Sequence, residues 1–288
     1  MKIQENYSLK NLNTFGVDVS AKYFAEVTSV EELLDVLKNH QPSTINHQSL
    51  FLGGGSNILL TKDFDGLVIQ LNLKGISEKI INENEVLITA KAGENWHEFV
   101  QFCLSKNYGG LENLSLIPGN VGTSPMQNIG AYGVEIKDTF VSCKVLNLEN
   151  LAKNDVSLSV VEDLNSEQCR FGYRDSIFKQ EGKGKYVILE VTFKLSTKSH
   201  IIKTEYGAIS TELKNLGIDI STPLNVTIQD ISKAVINIRQ SKLPDPKILG
   251  NAGSFFKNPT ISLEEFLEVQ KNHPEIPNYP NGNVVKVP

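Results

Sequence analysis

Arginine is scarce in this chain, and its placement is the first sign of chemistry. The 28 basic residues comprise 25 lysines and three arginines, Arg170, Arg174 and Arg239, and two of the three fall in the segment CRFGYRDS. A guanidinium is a planar fork that grips a carboxylate or phosphate in two places, which an ammonium cannot do. Arg174, with Phe171 and Tyr173 before it and Asp175 and Ser176 after it, could steady a carboxylate that gains negative charge as a reaction proceeds. It could equally pair with Asp175 or Asp163 at the surface. Ser254, in GNAGSFFKNP, follows a glycine and precedes two phenylalanines. Its hydroxyl could donate a proton, or simply cap a local turn. No histidine stands near it to favour a Ser-His-Asp nucleophile.

Two further segments suit an anion. Gly53, Gly54, Gly55, Ser56 and Asn57 follow the apolar run LFL. They read as a pyrophosphate-binding turn of backbone N–H groups, with an ordinary connecting turn as the alternative. Residues 117–134, IPGNVGTSPMQNIGAYGV, hold four Gly and two Pro in eighteen residues with no charge. Such a segment is a poor helix and a poor strand, yet too apolar for a solvated linker. Its backbone N–H groups need partners, and a bound anion or a self-packed loop would each supply them. Tyr206 and Lys242 read as exposed polar residues, and Lys242 could meet a phosphate.

Composition narrows the function classes. The formal net charge of −5 leaves no basic footprint for nucleic acid. No apolar run reaches the ~18 residues of a membrane span, and MKIQENYSLKNLNTF lacks a signal-peptide core. Cys103, Cys143 and Cys169 are odd in number and far apart, which fits reduced thiols in a cytoplasmic protein. The five histidines show no metal-ligand spacing, so no metal is expected. G-x-x-x-x-G-K-[ST] and G-x-G-x-x-G are both missing, so a nucleotide site cannot rest on either motif.

These residues need a scaffold. Residues 1–73 read as strand (22–27), helix from Ser29 to 39, strand (50–52), loop and strand (67–73), a small α/β unit. Residues 74–243 begin with a strand at 86–92 and a helix at 94–107. After the Gly-rich loop come a strand at 141–148, an irregular stretch at 159–176, a strand at 186–195 apolar enough to be central, and a helix at 227–240 capped by Thr227. Residues 244–288 follow the turn LPDP. Ser262 and Glu265 form a capping box for a helix that Pro274 stops. An Asn-Gly turn then introduces a strand at 284–287 with nothing after it to pair with, in a unit too short to hold a core alone.

Taken together and in order, NTFGVDVSAKYFAEV, FLGGGSN, IPGNVGTSPMQNIGAYG, CRFGYRDSIFK, RQSKLPDPK and GNAGSFFKNP resemble the UDP-N-acetylenolpyruvoylglucosamine reductase (MurB) family, in its form with a tyrosine-bearing loop before the substrate. The resemblance implies an α+β chain with the FAD-binding fold of the vanillyl-alcohol oxidase superfamily. Two FAD-binding subdomains (1–73 and 74–243) would be followed by a substrate-binding domain (244–288). It implies non-covalent FAD, NADPH as hydride donor, and reduction of UDP-N-acetylglucosamine enolpyruvate to UDP-N-acetylmuramate by a cytoplasmic monomer that makes peptidoglycan precursor.

By the same resemblance Arg174 stabilises the enolate and Ser254 protonates it. Tyr206, Lys242 and Asn258 grip the UDP diphosphate and sugar. The cofactor lies against Gly53, Gly54, Gly55, Ser56, Asn57, Pro118, Gly122, Thr123, Ser124, Asn128, Gly130, Ala131, Tyr132, Gly133 and Tyr173. In the family a Gly-Trp-Leu segment and a glutamate partner for the arginine lie beyond the point where this sequence stops, and the only Trp here is Trp96. The implied outcome is an incomplete third domain and a weak second half-reaction. The alternative is an FAD- and UDP-sugar-binding fragment with little catalysis, or a different flavoenzyme such as an oxidase. Oxidases of this fold often tether the flavin through His or Cys, and neither residue occurs in 53–57 or 117–133.

Overall fold

The computed structural model describes residues 2–39, 48–153, 160–222, 225–253 and 257–287. By compactness the chain forms two units, Met1–Ala252 and Gly253–Pro288.

The first unit contains two principal sheets. One has four strands in the order β1 (Gln4–Ser8), β2 (Ser20–Val27), β4 (Phe64–Leu71), β3 (Gln48–Leu52). β4 runs parallel to both β2 and β3, and β1 closes the edge antiparallel to β2. Parallel neighbours need a crossover, and α1 (Val30–Asn39) leaves directly from β2 to begin it. Leu33 and Val36 of α1 are buried with Val27, Ile69 and Leu71. β1 was not foreseen; its polar, mostly exposed residues carry no apolar alternation.

The strands of the second sheet are β5 (Ile76–Ile80), β6 (Glu85–Lys91), β9 (Phe140–Asn147), β10 (Val161–Asn165) and β11 (Tyr186–Ser196). Their order is β10-β9-β11-β6-β5, and all pairs are antiparallel. The two-residue strands β7 (Gly130–Ala131) and β8 (Val134–Glu135) stand apart as a hairpin. β11 is central as expected, with Val191, Phe193 and Leu195 fully or almost fully buried. Helix α2 (Trp96–Ser105) is capped by the Asn95 side chain, which accepts from Glu98 N. It buries Trp96, Phe99, Val100, Cys103 and Leu104. Trp96 and Phe99 meet Phe193 of β11 at ring-centroid distances of 5.8 and 5.5 Å. Such pairs add ~0.5–1.5 kcal/mol each beyond their burial, so α2 is held firmly on the sheet.

The stretch expected to be irregular at 159–176 instead contains β10 and the short helix α4 (Ser166–Cys169), with α3 (Leu148–Lys153) just upstream of residues 154–159, which lie outside the described residues. β10 is an edge strand exposed at alternate positions, which is why its apolar signal is weak. α5 (Gly207–Asn215) and α6 (Ile228–Lys242) pack on each other through Ile209, Leu213, Ile231 and Val235. Thr227 caps α6 as expected, in a reciprocal box with Asp230.

The second unit, residues 253–288, is a three-stranded antiparallel sheet with one helix. β14 (Val284–Lys286) lies between β12 (Thr260–Ser262) and β13 (Tyr279–Asn281). The last strand, expected to have nothing after it to pair with, is paired on both sides by strands that come before it. Gly282, at φ +60°, makes the tight turn from β13. Helix α7 (Leu263–Asn272) has the foreseen capping box, with Ser262 Oγ accepting from Glu265 N at 3.1 Å. Phe266, Val285 and Val287 are buried together against Ile261 and Ile276, a small core in a unit expected to have none of its own.

Candidate active site

Within the first unit, the fold brings the Gly-rich turn and the Gly-rich loop together. The turn leaves the end of β3, and Asn57 Nδ2 donates to Gln127 Oε1 of the loop at 3.2 Å. A Cβ on Gly53 would sit 2.6 Å from Thr123 Cγ2, and one on Gly54 would sit 2.8 Å from Asn120 Oδ1 and 3.0 Å from Gly119 Cα. Gly55 has φ +61°, and a Cβ there would lie 1.9 Å from the Leu12 carbonyl oxygen. The turn is thus bare backbone wedged between 12–13 and 119–123, and no side chain fits at its centre.

The two segments differ in what their N–H groups do. In the loop, Val121 donates to Glu94 O, Gly122 to Ala92 O, Thr123 to Asn120 O and Ser124 to Val121 O, all within 3.0 Å. In the turn, the N–H groups of Gly54, Gly55, Ser56 and Asn57 have no protein acceptor among the described residues, although Gly55 is buried. Gly54 and Asn57 are exposed and Ser56 is half-buried, so this run of donors can meet an acceptor from outside the chain. Four successive backbone donors on a glycine turn fit a diphosphate, so these residues fit the pyrophosphate of FAD.

The rest of the loop is strained in specific places. Asn128 (φ 45°) is buried and fully bonded: its Nδ2 donates to Glu135 Oε2 at 2.9 Å and Gly172 O at 3.0 Å, and its Oδ1 accepts from Lys137 N at 3.2 Å. β7 and β8 form a two-residue hairpin whose corner residues, Tyr132 and Gly133, have φ 51° and 80°. Two positive values are what a right-twisted hairpin requires, but a tyrosine there is costly and needs support. Asn113, buried, donates through Nδ2 to Tyr132 O at 3.1 Å. Tyr206, the residue before α5, stacks edge-on against the Tyr132 ring at 5.5 Å. The Tyr132 hydroxyl interacts with the Arg239 guanidinium. Burial pushes that phenol up, while the nearby guanidinium pulls it down.

Arg174 sits in a second tight turn, closed by Gly172 N to Asp175 O (3.0 Å) and Asp175 N to Gly172 O (3.3 Å), with φ 51° at Arg174 itself. Its Nη2 donates to Gly130 O, and its guanidinium lies 5.3 Å from the Tyr173 ring centroid. Asp175 accepts from Ser176 N and from Gln180 rather than pairing with Arg174. The half-buried fork is therefore anchored on the loop beside the Tyr132 hairpin. Lys242 ends α6 one turn after Arg239 and is exposed. Asn258 belongs to the second unit, and Ser254 lies outside the described residues.

Known proteins place this arrangement. A family model described as an FAD binding domain matches residues 21–150. The UDP-N-acetylenolpyruvoylglucosamine reductase of Flavobacterium johnsoniae is 51% identical over 292 aligned positions, covering 100% of this chain and 81% of that protein. The enzyme of the same name from Chromobacterium violaceum is 44% identical, covering 97% and 78%. The chain belongs to the UDP-N-acetylenolpyruvoylglucosamine reductase family. The crystal structure of the Thermus caldophilus member, 21% identical, superposes with a TM-score of 0.58 over 100% of this chain and 88% of that one, so the fold is shared. The chain is accordingly a flavin-dependent oxidoreductase with the FAD-binding fold that the motif order implied.

Membership of this family gives the helpers around the loop a context. Three residues were not assigned a role from the sequence: His97, Asn113 and Arg239. The signal for Arg239 was its rarity and its spacing of three from Lys242. His97 and Asn113 act on the backbone of the loop, and no motif marks such residues.

Proposed function

We propose that the chain holds FAD non-covalently and uses NADPH to reduce UDP-N-acetylglucosamine enolpyruvate to UDP-N-acetylmuramate, a step of peptidoglycan precursor synthesis. The observation that carries this reading is the set of N–H groups at 54–57 without protein acceptors among the described residues, lying beside the loop that anchors Arg174. When bound, FAD supplies a hydride acceptor for NADPH and a hydride donor for the enolpyruvyl double bond. The residues of the chain supply position and charge.

We assign the 54–57 donors to the FAD diphosphate, with 1–73 and 74–243 as the two halves of the flavin domain. Pro118, Gly122, Thr123, Ser124, Asn128, Gly130, Ala131, Tyr132, Gly133 and Tyr173 form the wall for the rest of the cofactor. Arg174 has one N–H group on Gly130 O. Its remaining donors are assigned to the substrate carboxylate, where charge grows as hydride arrives. Because the turn and the Gly130 bond already orient the guanidinium, little reorganisation is needed at that moment. Ser254 is assigned the proton delivered to C2, and Tyr206, Lys242 and Asn258 the UDP diphosphate and sugar. Three measurements test the reading. The purified chain should carry or take up FAD, and its NADPH oxidation should depend on the enolpyruvyl substrate. Ser254→Ala should leave flavin reduction intact while slowing substrate reduction by orders of magnitude. Equal slowing of both steps would refute the role given to Ser254.

A further inference from the structure

Leu116 stands at the entrance to the Gly-rich loop with φ 58°, a left-handed conformation that a leucine adopts only under constraint. Both of its backbone polar groups are held by side chains from different helices. Its N–H donates to His97 Nδ1 of α2 at 3.0 Å, and its carbonyl oxygen accepts from Arg239 Nε of α6 at 3.1 Å. The neighbouring residues are tied to α2 as well, through Trp96 Nε1 to Leu114 O at 2.9 Å and Trp96 N to Gly119 O at 2.9 Å. Arg239 also reaches the Tyr132 hydroxyl. One chain of contacts thus runs from His97 through Leu116 and Arg239 to the strained tyrosine corner.

We propose that His97 is a positioning residue for the flavin site: its neutral Nδ1 holds Leu116 in the left-handed conformation that sets the path of the loop. This inference rests on the FAD reading above. The bond requires Nδ1 to act as an acceptor, so the proton of the neutral ring must be on Nε2. Protonation would put a hydrogen on Nδ1 and turn the contact into two opposed donors. The charged groups that act on His97 are Glu98 of its own helix and Arg239 of α6. Burial is the main influence and lowers its pKa below the usual 6.5; the Arg239 charge lowers it further, and Glu98 opposes both. The ring is therefore neutral at physiological pH and the brace is intact. The brace weakens only in acid, below the range of a free histidine.

The test compares the whole wild-type chain with two variants. His97→Ala removes the acceptor, whereas His97→Asn offers an amide oxygen close to the position of Nδ1 that cannot be protonated in this range. Amide exchange at 114–121 in FAD-free protein reads the brace without any ligand, and fluorescence titration with FAD reads its consequence. His97→Ala is expected to exchange faster and to bind FAD ~10-fold more weakly, as for a lost buried hydrogen bond, with His97→Asn restoring both. Wild-type FAD affinity should fall in acid while that of His97→Asn stays level. If the wild type takes up no FAD, the flavin reading fails, but the exchange data still decide the brace. If His97→Ala exchanges like wild type at 114–121, or if His97→Asn tracks the wild-type acid loss, the proposal is overturned.

Discussion

The turn at 53–57 and the loop at 117–133 are both rich in glycine and both look like anion cradles, yet they solve opposite problems. The turn leaves the N–H groups of 54–57 without protein partners among the described residues and tolerates no Cβ at its centre. The loop satisfies the N–H groups of 120–124 in short 3₁₀ turns and in bonds to Ala92 and Glu94, and its strained residues Asn128 and Tyr132, with Leu116 just before it, are held by side-chain hydrogen bonds. Glycine serves close approach in the first segment. In the second, Gly122 and Gly130 also serve close approach, to Ala92 and to the 134–135 strand, while Gly133 at the hairpin corner has open space where a Cβ would go. A glycine-dense stretch is therefore not by itself an anion site; the difference lies in which N–H groups remain to be satisfied.

Breaking the turn should have the largest effect. Gly55→Ala forces a Cβ onto the Leu12 carbonyl in a left-handed residue. It should cost ~4 kcal/mol in urea unfolding and abolish FAD uptake. Next comes the anchor between the segments. Arg174→Lys loses the fork that spans Gly130 O and the proposed carboxylate. Stopped-flow should find flavin reduction by NADPH unchanged and substrate reduction slowed ~10²–10³-fold, the range for removing one preorganised donor to a developing charge.

The hairpin corner of the loop should be more forgiving. Gly133 has φ +80° but open space where a Cβ would go. Gly133→Ala should cost only the ~1–2 kcal/mol of left-handed strain and keep FAD binding, a sharp contrast with Gly55. The smallest effect concerns the base of the loop. Burial raises the pKa of Glu112 above its usual 4.5, although backbone N–H groups and Lys203 pull it back. Its stabilising contribution is therefore full below pH 4.5 and lost as pH rises through the raised value. Glu112→Gln cannot ionise and should melt a few degrees higher than wild type at neutral pH, with the gap closing in acid.

Much of the scaffold was legible where periodicity was strong. Helix α2, central strand β11, the Thr227 cap and the Ser262–Glu265 capping box follow from apolar spacing and cap residues alone. β1 and β5 were missed because these edge strands expose most of their side chains, and the edge strand β10 because polar residues at 162, 163 and 165 leave it little apolar signal. The strand at 284–287 was legible, but its partner β13 was not, because it contains Pro280, which argues against a strand except at an edge. Of the site, the residues that would meet ligand directly stood out by type: a glycine run, a rare arginine. His97 and Asn113 did not, because they bond to backbone atoms of residues distant in sequence, and only the folded chain brings these together.

In the proposed complex the turn, and not 121–124 of the loop, gives its N–H groups to the FAD diphosphate. Titrating ¹⁵N-labelled chain with FAD and following backbone amides tests it directly. Large downfield amide shifts and new exchange protection are expected at 54–57, with the amides of 121–124 nearly unmoved. Large shifts at 121–124 with 54–57 unchanged would contradict it.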